Sequence, residues 1–242
     1  MTPAPRRVLV FLIAVVAGIA ALAVITSRHR SEIGPRPPAE RQPLMLLSSL
    51  PLVFGEDFSL KSTGSPLLAK LQTRYAVILI SVTSGQELSK ARILLMAQPQ
   101  AQTPENLVAL DSWVRGGGRV LLFSDPLLEW PSKRPLGDML RPPPVFADTG
   151  LLAHWGLRLD PPAQRGPATR NLAGFNVLTV SPGKVSGACA ISRDGLVASC
   201  RIGAGTAVIV ADADLLDTAV LGPTSDHNLD AVLRALARLE HS

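Results

Sequence analysis

The longest apolar run in the chain lies at its start. Val8 to Thr26 (VLVFLIAVVAGIAALAVIT) holds nineteen residues without a charge, bracketed by Arg6-Arg7 and by Arg28-His29-Arg30. As a helix this run extends roughly 28 Å, close to the hydrocarbon thickness of a bilayer, so one transmembrane helix over 8–26 is expected behind a short cytoplasmic tail, 1–7. A cleaved signal peptide is the competing reading, because MTPAPRR is a basic leader. Signal cores run about 7 to 15 residues, however, and this one ends in Ser-Arg-His-Arg instead of a small-x-small cleavage site. Reading Arg6-Arg7 as a twin-arginine export signal is weaker still.

Residues 27–43, including SEIGPRPPAERQP, are rich in proline and lack apolar periodicity, which predicts a semi-extended linker. From residue 44 to 242, strand and helix patterns alternate. LMLLS (44–48), YAVILISV (75–82) and ILLMA (93–97) are continuous apolar runs, the signature of strands covered on both faces in a parallel sheet. SPLLAKLQT (65–73) predicts a helix with proline in its first turn. The clearest unit is TPENLVALDSWVRGGGRVLLFSD (103–125): Thr103 fits an N-cap, Pro104 the first helical position, and Leu107, Leu110 and Val114 form one stripe with Trp113 beside it. The three glycines Gly116 to Gly118 end the helix, and Val120 to Phe123 form the next strand.

After that strand, Leu127 to Pro144 is a long proline-rich excursion, a kind of loop that is usually functional. Phe146 to Trp155 predicts another helix, and Asn171 to Arg201 an antiparallel hairpin appended to the sheet. Thr206 to Val210 predicts a last buried strand, and Asp226 to Glu240 an amphipathic helix with Leu229, Val232, Leu233, Leu236 and Leu239 at helical spacing. The expected class is therefore α/β.

Composition narrows the partners. The formal charge is +5, but residues 1–43 carry six arginines and two glutamates, leaving 18 basic and 17 acidic side chains in the body. The excess lies beside the expected bilayer, a partner through the helix and its basic flanks, and nucleic-acid binding is not expected. The two cysteines, Cys189 and Cys200, flank Asp194-Gly195. A two-residue type I′ turn there pairs Arg193 with Leu196 and sets the cysteines opposite each other, in position to bridge; two free buried thiols are the alternative. A literal count of flanking arginines keeps the body in the cytoplasm, whereas a bridge and a large translocated domain favour the periplasm, which is the side expected here. The chain is thus read as a single-pass inner-membrane protein of bacterial type.

Ser124 and Asp125, at a predicted strand end, are candidates for ligand or partner contact, as a turn or as a hydrolase remnant with His154 or His227 as base. Trp130 in the excursion is the best candidate for an exposed contact, whereas Trp113 and Trp155 face the core. Asp212 and Asp214 are further contact candidates. Together with Asp217, Asp226 and Asp230 they lack the alternation of a calcium loop, so caps and solvated faces are expected and no metal. The chain has no Gly-x-x-x-x-Gly-Lys-Ser/Thr motif, and no cofactor is expected.

Four segments, PENLVALDSWVRGGGRVLLFSDP, LLAHWGLRLD, RIGAGTAVIVADADLLD and HNLDAVLRAL, occur in that order. As a set they resemble the extracytoplasmic domain of gliding-motility-type ABC transporter auxiliary proteins, over residues 90–240. The resemblance implies a flavodoxin-like, class I glutamine amidotransferase-like three-layer sandwich and association with an ABC transporter permease and ATPase. It implies an accessory role, since no Gly-x-Cys-x-Gly supplies the amidotransferase nucleophile. A membrane-tethered hydrolase of an envelope glycan or ester, and a periplasmic small-molecule binder, are the alternatives.

Overall fold

Alternate residues of one central strand point into two different apolar layers, and that parity organises the molecule. The computed structural model describes residues 33–54 and 64–242; the transmembrane helix expected over 8–26 lies outside them. Among the described residues no helix is long and apolar enough to cross a membrane. Residues 35–242 form one compact unit.

Its main sheet has seven strands in the order β2-β1-β3-β4-β11-β10-β9, with β1 Gln42–Ser48, β2 Tyr75–Leu79, β3 Ile93–Ala97, β4 Arg119–Phe123, β9 Ala190–Ile191, β10 Val197–Ile202 and β11 Gly205–Val210. The pairs among β2, β1, β3, β4 and β11 are parallel; β10 and β9 extend the sheet antiparallel. Leu44 and Leu46 of β1, with Leu95 and Phe123, face a layer formed by helix α1 (Pro66–Gln72) and the last helix; Met45 and Leu47, with Leu94 and Leu122, face the opposite layer. There α2 (Gly85–Leu88), α3 (Pro104–Arg115) and α4 (Leu151–His154) supply Leu88, Leu110, Val114 and Leu152. The sequence of β1 reads as a continuous apolar run because neither face meets water.

Local chemistry sets the helix ends. Ser65, Ser84 and Thr103 each accept a hydrogen bond from the backbone N–H three residues on, at 3.1, 3.3 and 3.4 Å. Helix α3 stops at Gly116, and Gly117 turns with φ +99°. Its C-terminal end sits so close to β11 that a Cβ on Gly205 would fall 2.0 Å from the Val114 carbonyl oxygen. Only glycine fits there.

Between β4 and β11 the chain departs from expectation. The helix expected over 146–155 is helical only from Leu151 to His154, because Asp148 Oδ1 accepts from the Gly150 and Leu152 N–H groups and Gly150 adopts φ +102°. In place of one hairpin over 171–201 there are three antiparallel pairs: β5 (Leu157–Asp160) with β8 (Lys184–Gly187), β6 (Pro167–Leu172) with β7 (Phe175–Val180), and β9 with β10. Only the last pair belongs to the main sheet. The chain then passes through α5 (Thr218–Leu221) to α6 (Asp226–Leu239), whose buried Val232, Leu233, Leu236 and Leu239 seal the first layer. Such side chains contribute about 1.5–3 kcal/mol each.

Asn228 fastens α6 to β7 by imitating a strand: it accepts from the Leu178 N–H at 2.9 Å and donates to the Leu178 and Leu215 carbonyls at 2.8 Å. Part of the residues expected as linker also joins the body. The Arg36 N–H donates to the Thr73 carbonyl at 2.9 Å, and its guanidinium pairs with the buried Glu240 carboxylate, which Arg74 and the Tyr75 hydroxyl also approach.

Cys189 and Cys200 form a disulfide with a Cα–Cα distance of 4.9 Å. The expected register holds, since Ile191 opposes Ala198 and Ala190 opposes Ser199. The turn differs: Asp194 is not at positive φ, as a type I′ turn requires, and the Gly195 N–H bonds the Ser192 carbonyl across a longer connection. Removing two residues from each strand is symmetric and leaves the remaining pairs opposite each other, so both turns align the cysteines. Reducing the disulfide, or replacing both cysteines by alanine, is expected to lower the unfolding free energy by about 3 kcal/mol. Urea denaturation with and without dithiothreitol measures it.

Candidate functional site at the carboxyl edge of the sheet

Parallel strands end together, so the loops after β1, β3, β4 and β11 meet at one edge. The chain leaves β1 towards β2 on one side while β3 lies on the other. The loops that follow β1 and β3 therefore diverge, and a crevice opens at that switch point.

The edge is stapled by one buried amide. Gln98, just past β3, has φ +43° and is fully buried. Its Oε1 accepts from the Asp125 N–H at 2.8 Å, and its Nε2 donates to the Asp125 carbonyl at 3.1 Å and the Pro143 carbonyl at 3.0 Å. The Ser49 hydroxyl donates to the Gln98 carbonyl. One residue thus ties the ends of β1, β3 and β4 to the excursion. Nothing in the sequence around Gln98 announces this; left-handed backbone at a glutamine has no local signature.

Three carboxyls surround the staple. Asp125 accepts from the Leu127 and Ala213 N–H groups, both at 2.8 Å; Asp212 from Leu215 at 2.8 Å and Val180 at 3.0 Å; and Asp214 from Glu129 at 2.8 Å. Burial raises Asp125 to about 6 and Asp214 to about 7, against the opposing pull of those backbone donors. Burial, with the adjacent Asp125 charge, raises Asp212 well above its ordinary value. These carboxylates hold the loops after β4 and β11 and the end of β7 in place.

Beside the staple lies a groove of about 260 Å³. Its floor is Leu46, Leu50 and Ile80 at the ends of β1 and β2, with Ser48 and Ser49 at the switch point; Arg134, Leu140 and Pro142 of the excursion form one wall. Leu79 and Leu140 are half exposed at its rim, and Leu136 and Met139 protrude further along the excursion, 79% and 88% exposed. Several unpaired apolar side chains on one loop mark a contact surface more than isolated ones would.

The sequence-derived candidates divide. Ser124, Asp125, Asp212 and Asp214 do converge at this edge, but buried behind the groove, with the Ser124 hydroxyl donating to the Val210 carbonyl at 3.3 Å. Trp130 is half-buried against the first apolar layer, and the exposed apolar side chains of the excursion are Leu136, Met139 and Leu140 instead. His154 sits 3.5 Å from Asp111 on the helical face, and His227 stacks beside Phe175; neither contacts Ser124 or Asp125. Trp155 is buried as expected, its indole N–H donating to Asp111 at 2.9 Å. Asp217 accepts from the Val220 N–H and Asp230 pairs with Lys70. Among the described residues no three His, Cys, Asp or Glu side chains are grouped to hold a metal ion.

Neither any protein-family model nor any curated protein matches the sequence. Among solved structures, one described as the mmIFT52 N-terminal domain aligns over 81% of this chain and 96% of its own, with 12% identity and a TM-score of 0.50. The exo-beta-1,4-mannosidase Op5Man5 from Opitutaceae bacterium strain TAV5 aligns over 90% of this chain at 15% identity and TM-score 0.46, and this chain spans 38% of its length. The cytoplasmic protein STM3548 from Salmonella typhimurium aligns over 82% of this chain and 98% of its own, at 11% identity and TM-score 0.48. At such identities the likeness concerns the fold alone.

Two outcomes are expected from this geometry. Replacing Gln98 with alanine strands the Asp125 N–H and two carbonyls without solvent, costing about 2–4 kcal/mol by denaturant unfolding. The aspartates bind protons in the folded molecule that the unfolded chain releases, so their contribution is complete below about pH 4 and is lost as pH rises through about 6 and 7. The melting temperature is therefore expected to fall from about pH 5 to about pH 8, and less steeply in Asp214→Asn, which keeps an acceptor for Glu129. Calorimetry across that range measures both slopes.

Proposed function

We propose that this chain is a membrane-anchored accessory protein whose α/β body holds a partner, the permease of an ABC-type transport system, at the carboxyl edge of its sheet. The apolar groove at the switch point, lined by the half-exposed Leu79 and Leu140, together with the exposed Leu136 and Met139 of the same excursion, is the observation that carries this reading. Its polar lining is Ser48, Ser49 and Arg134; Ser48 and Ser49 are engaged with the Leu50 and Gln98 carbonyls. Among the described residues no histidine or carboxylate lines it to activate either serine, an arrangement suited to holding.

The finer fold assignment, flavodoxin-like and class I glutamine amidotransferase-like, belongs to the same proposal. It is supported by the order of the parallel strands, β2-β1-β3-β4-β11, which is that of flavodoxin-type doubly wound sheets, and by helices on both faces. The anchor over 8–26 and the disulfide support placement of the body on the oxidising side of an inner membrane. The segments that resemble gliding-motility-type auxiliary proteins include β4 and β11, whose ends bear the buried aspartates.

Purifying the full-length chain in mild detergent tests the proposal. A multispanning permease and an ATPase are expected to copurify, and the double substitution Leu136→Asp, Leu140→Asp is expected to reduce their recovery about tenfold or more while the melting temperature is unchanged. Equal recovery with the double variant, or turnover of an envelope glycan or ester by the protein, would overturn it.

A further inference from the structure

A second cleft, away from the carboxyl-edge groove, gathers positive charge. It has a volume of about 440 Å³, within the range of small-molecule sites, and lies where the β5–β6 loop, the β7–β8 connection and the β9–β10 turn meet. Arg165, Arg170 and Lys184 line it, and among the described residues the only acidic side chain lining it is Asp194. In a body with 18 basic and 17 acidic residues, a local excess of two positive charges is a departure from the mean.

The walls are held from behind. The Ser181 N–H donates to the Gly166 carbonyl at 2.8 Å and the Gly166 N–H returns to the Ser181 hydroxyl at 2.8 Å, while Ser181 in turn donates to Glu129 at 2.6 Å. Gly183 is buried with its N–H on the Ala211 carbonyl, and a Cβ there would fall 2.4 Å from Pro126. The Lys184 stem crosses the turn at Gly195, where an added Cβ would come within 2.5 Å of its Cγ. The absent side chain leaves that lysine its path.

The charges in the cleft are not neutralised by one another. Asp194 is committed to its own turn: Oδ1 accepts from the Ser192 hydroxyl at 2.6 Å and the Leu196 N–H at 3.2 Å, and Oδ2 from the Asn171 N–H at 3.3 Å. Arg170 donates to the Thr169 carbonyl at 3.2 Å, and among the described residues neither Arg165 nor Lys184 forms an ion pair. Two guanidinium forks and one ammonium match the several oxygens of a phosphate group, the forks by paired N–H donors and the ammonium as a point charge.

We infer that the cleft formed by Arg165, Arg170 and Lys184 is a binding site for a phosphate-class oxyanion borne on a small polar molecule or a lipid headgroup. The volume exceeds that of a bare phosphate and leaves room for the group that carries it. The inference rests on no part of the proposed transport role.

Full-length protein in non-ionic detergent micelles is titrated with inorganic phosphate in one arm and, in the other, with phosphatidic acid mixed into the micelles, with sodium chloride at matched ionic strength as control. A saturable rise in melting temperature, confirmed by calorimetric binding, is expected with phosphate for a soluble ligand or with phosphatidic acid alone for a headgroup. Arg165→Gln with Arg170→Gln is expected to weaken that binding about tenfold or more. Lys184→Gln is expected to weaken it less, and both variants to keep the wild-type melting temperature without ligand. Failure of both probes to bind, or equal binding by wild type and the double-glutamine variant, would overturn the inference.

Discussion

A buried carboxamide decides how the loops of this protein are held. Gln98 lies past the end of β3 in a left-handed backbone conformation, and from there it closes hydrogen bonds to both backbone groups of Asp125 and to Pro143 of the excursion. Its cost is the strained backbone and the desolvation of one amide; its return is that polar groups at the ends of three parallel strands all find partners away from water. The aspartates around it extend the same logic. Asp125, Asp212 and Asp214 reach backbone N–H groups in the loops after β4 and β11 and at the end of β7, and burial keeps their protons bound to higher pH. Neighbouring strand ends can therefore carry long loops without opening the sheet.

Much of the main sheet was legible because it follows from short-range rules. The apolar runs at 44–48, 75–82 and 93–97 become β1, β2 and β3, although β2 stops at the half-exposed Leu79 and Ile80 beyond it still packs into the second layer. Thr103 and the glycines from Gly116 bound α3, and the cysteine register survives a different turn because the longer connection takes equal numbers of residues from each strand. The segment 157–187 was harder. Its strands are four to six residues long and mostly half-buried or exposed, too short for a clear period of two, and β5 pairs with β8, distant in the chain.

At the candidate site, residue type was readable and role was not. Ser124, Asp125, Asp212 and Asp214 fall at the carboxyl edge, where strand-end polar residues were expected. Their burial, and the exposure of Leu136 and Met139 in place of Trp130, depend on how the excursion folds back against β1 and β4. A proline-rich sequence gives no period from which that return path could be derived. Gln98 was invisible for the same reason: its meaning lies in Asp125 and Pro143, distant in the chain.

The contact between Arg36 and Glu240 has a mechanical side. Any tension arriving along the backbone at Pro35 meets first the Arg36 N–H on Thr73 and its guanidinium on Glu240, so the load divides between the end of α1 and the end of α6 before β1 feels it. What remains pulls β1 along its own length between two parallel neighbours. Both ladders then have to slide as a block instead of parting one bond at a time. A pull applied at this point is met in shear and does not peel the sheet open.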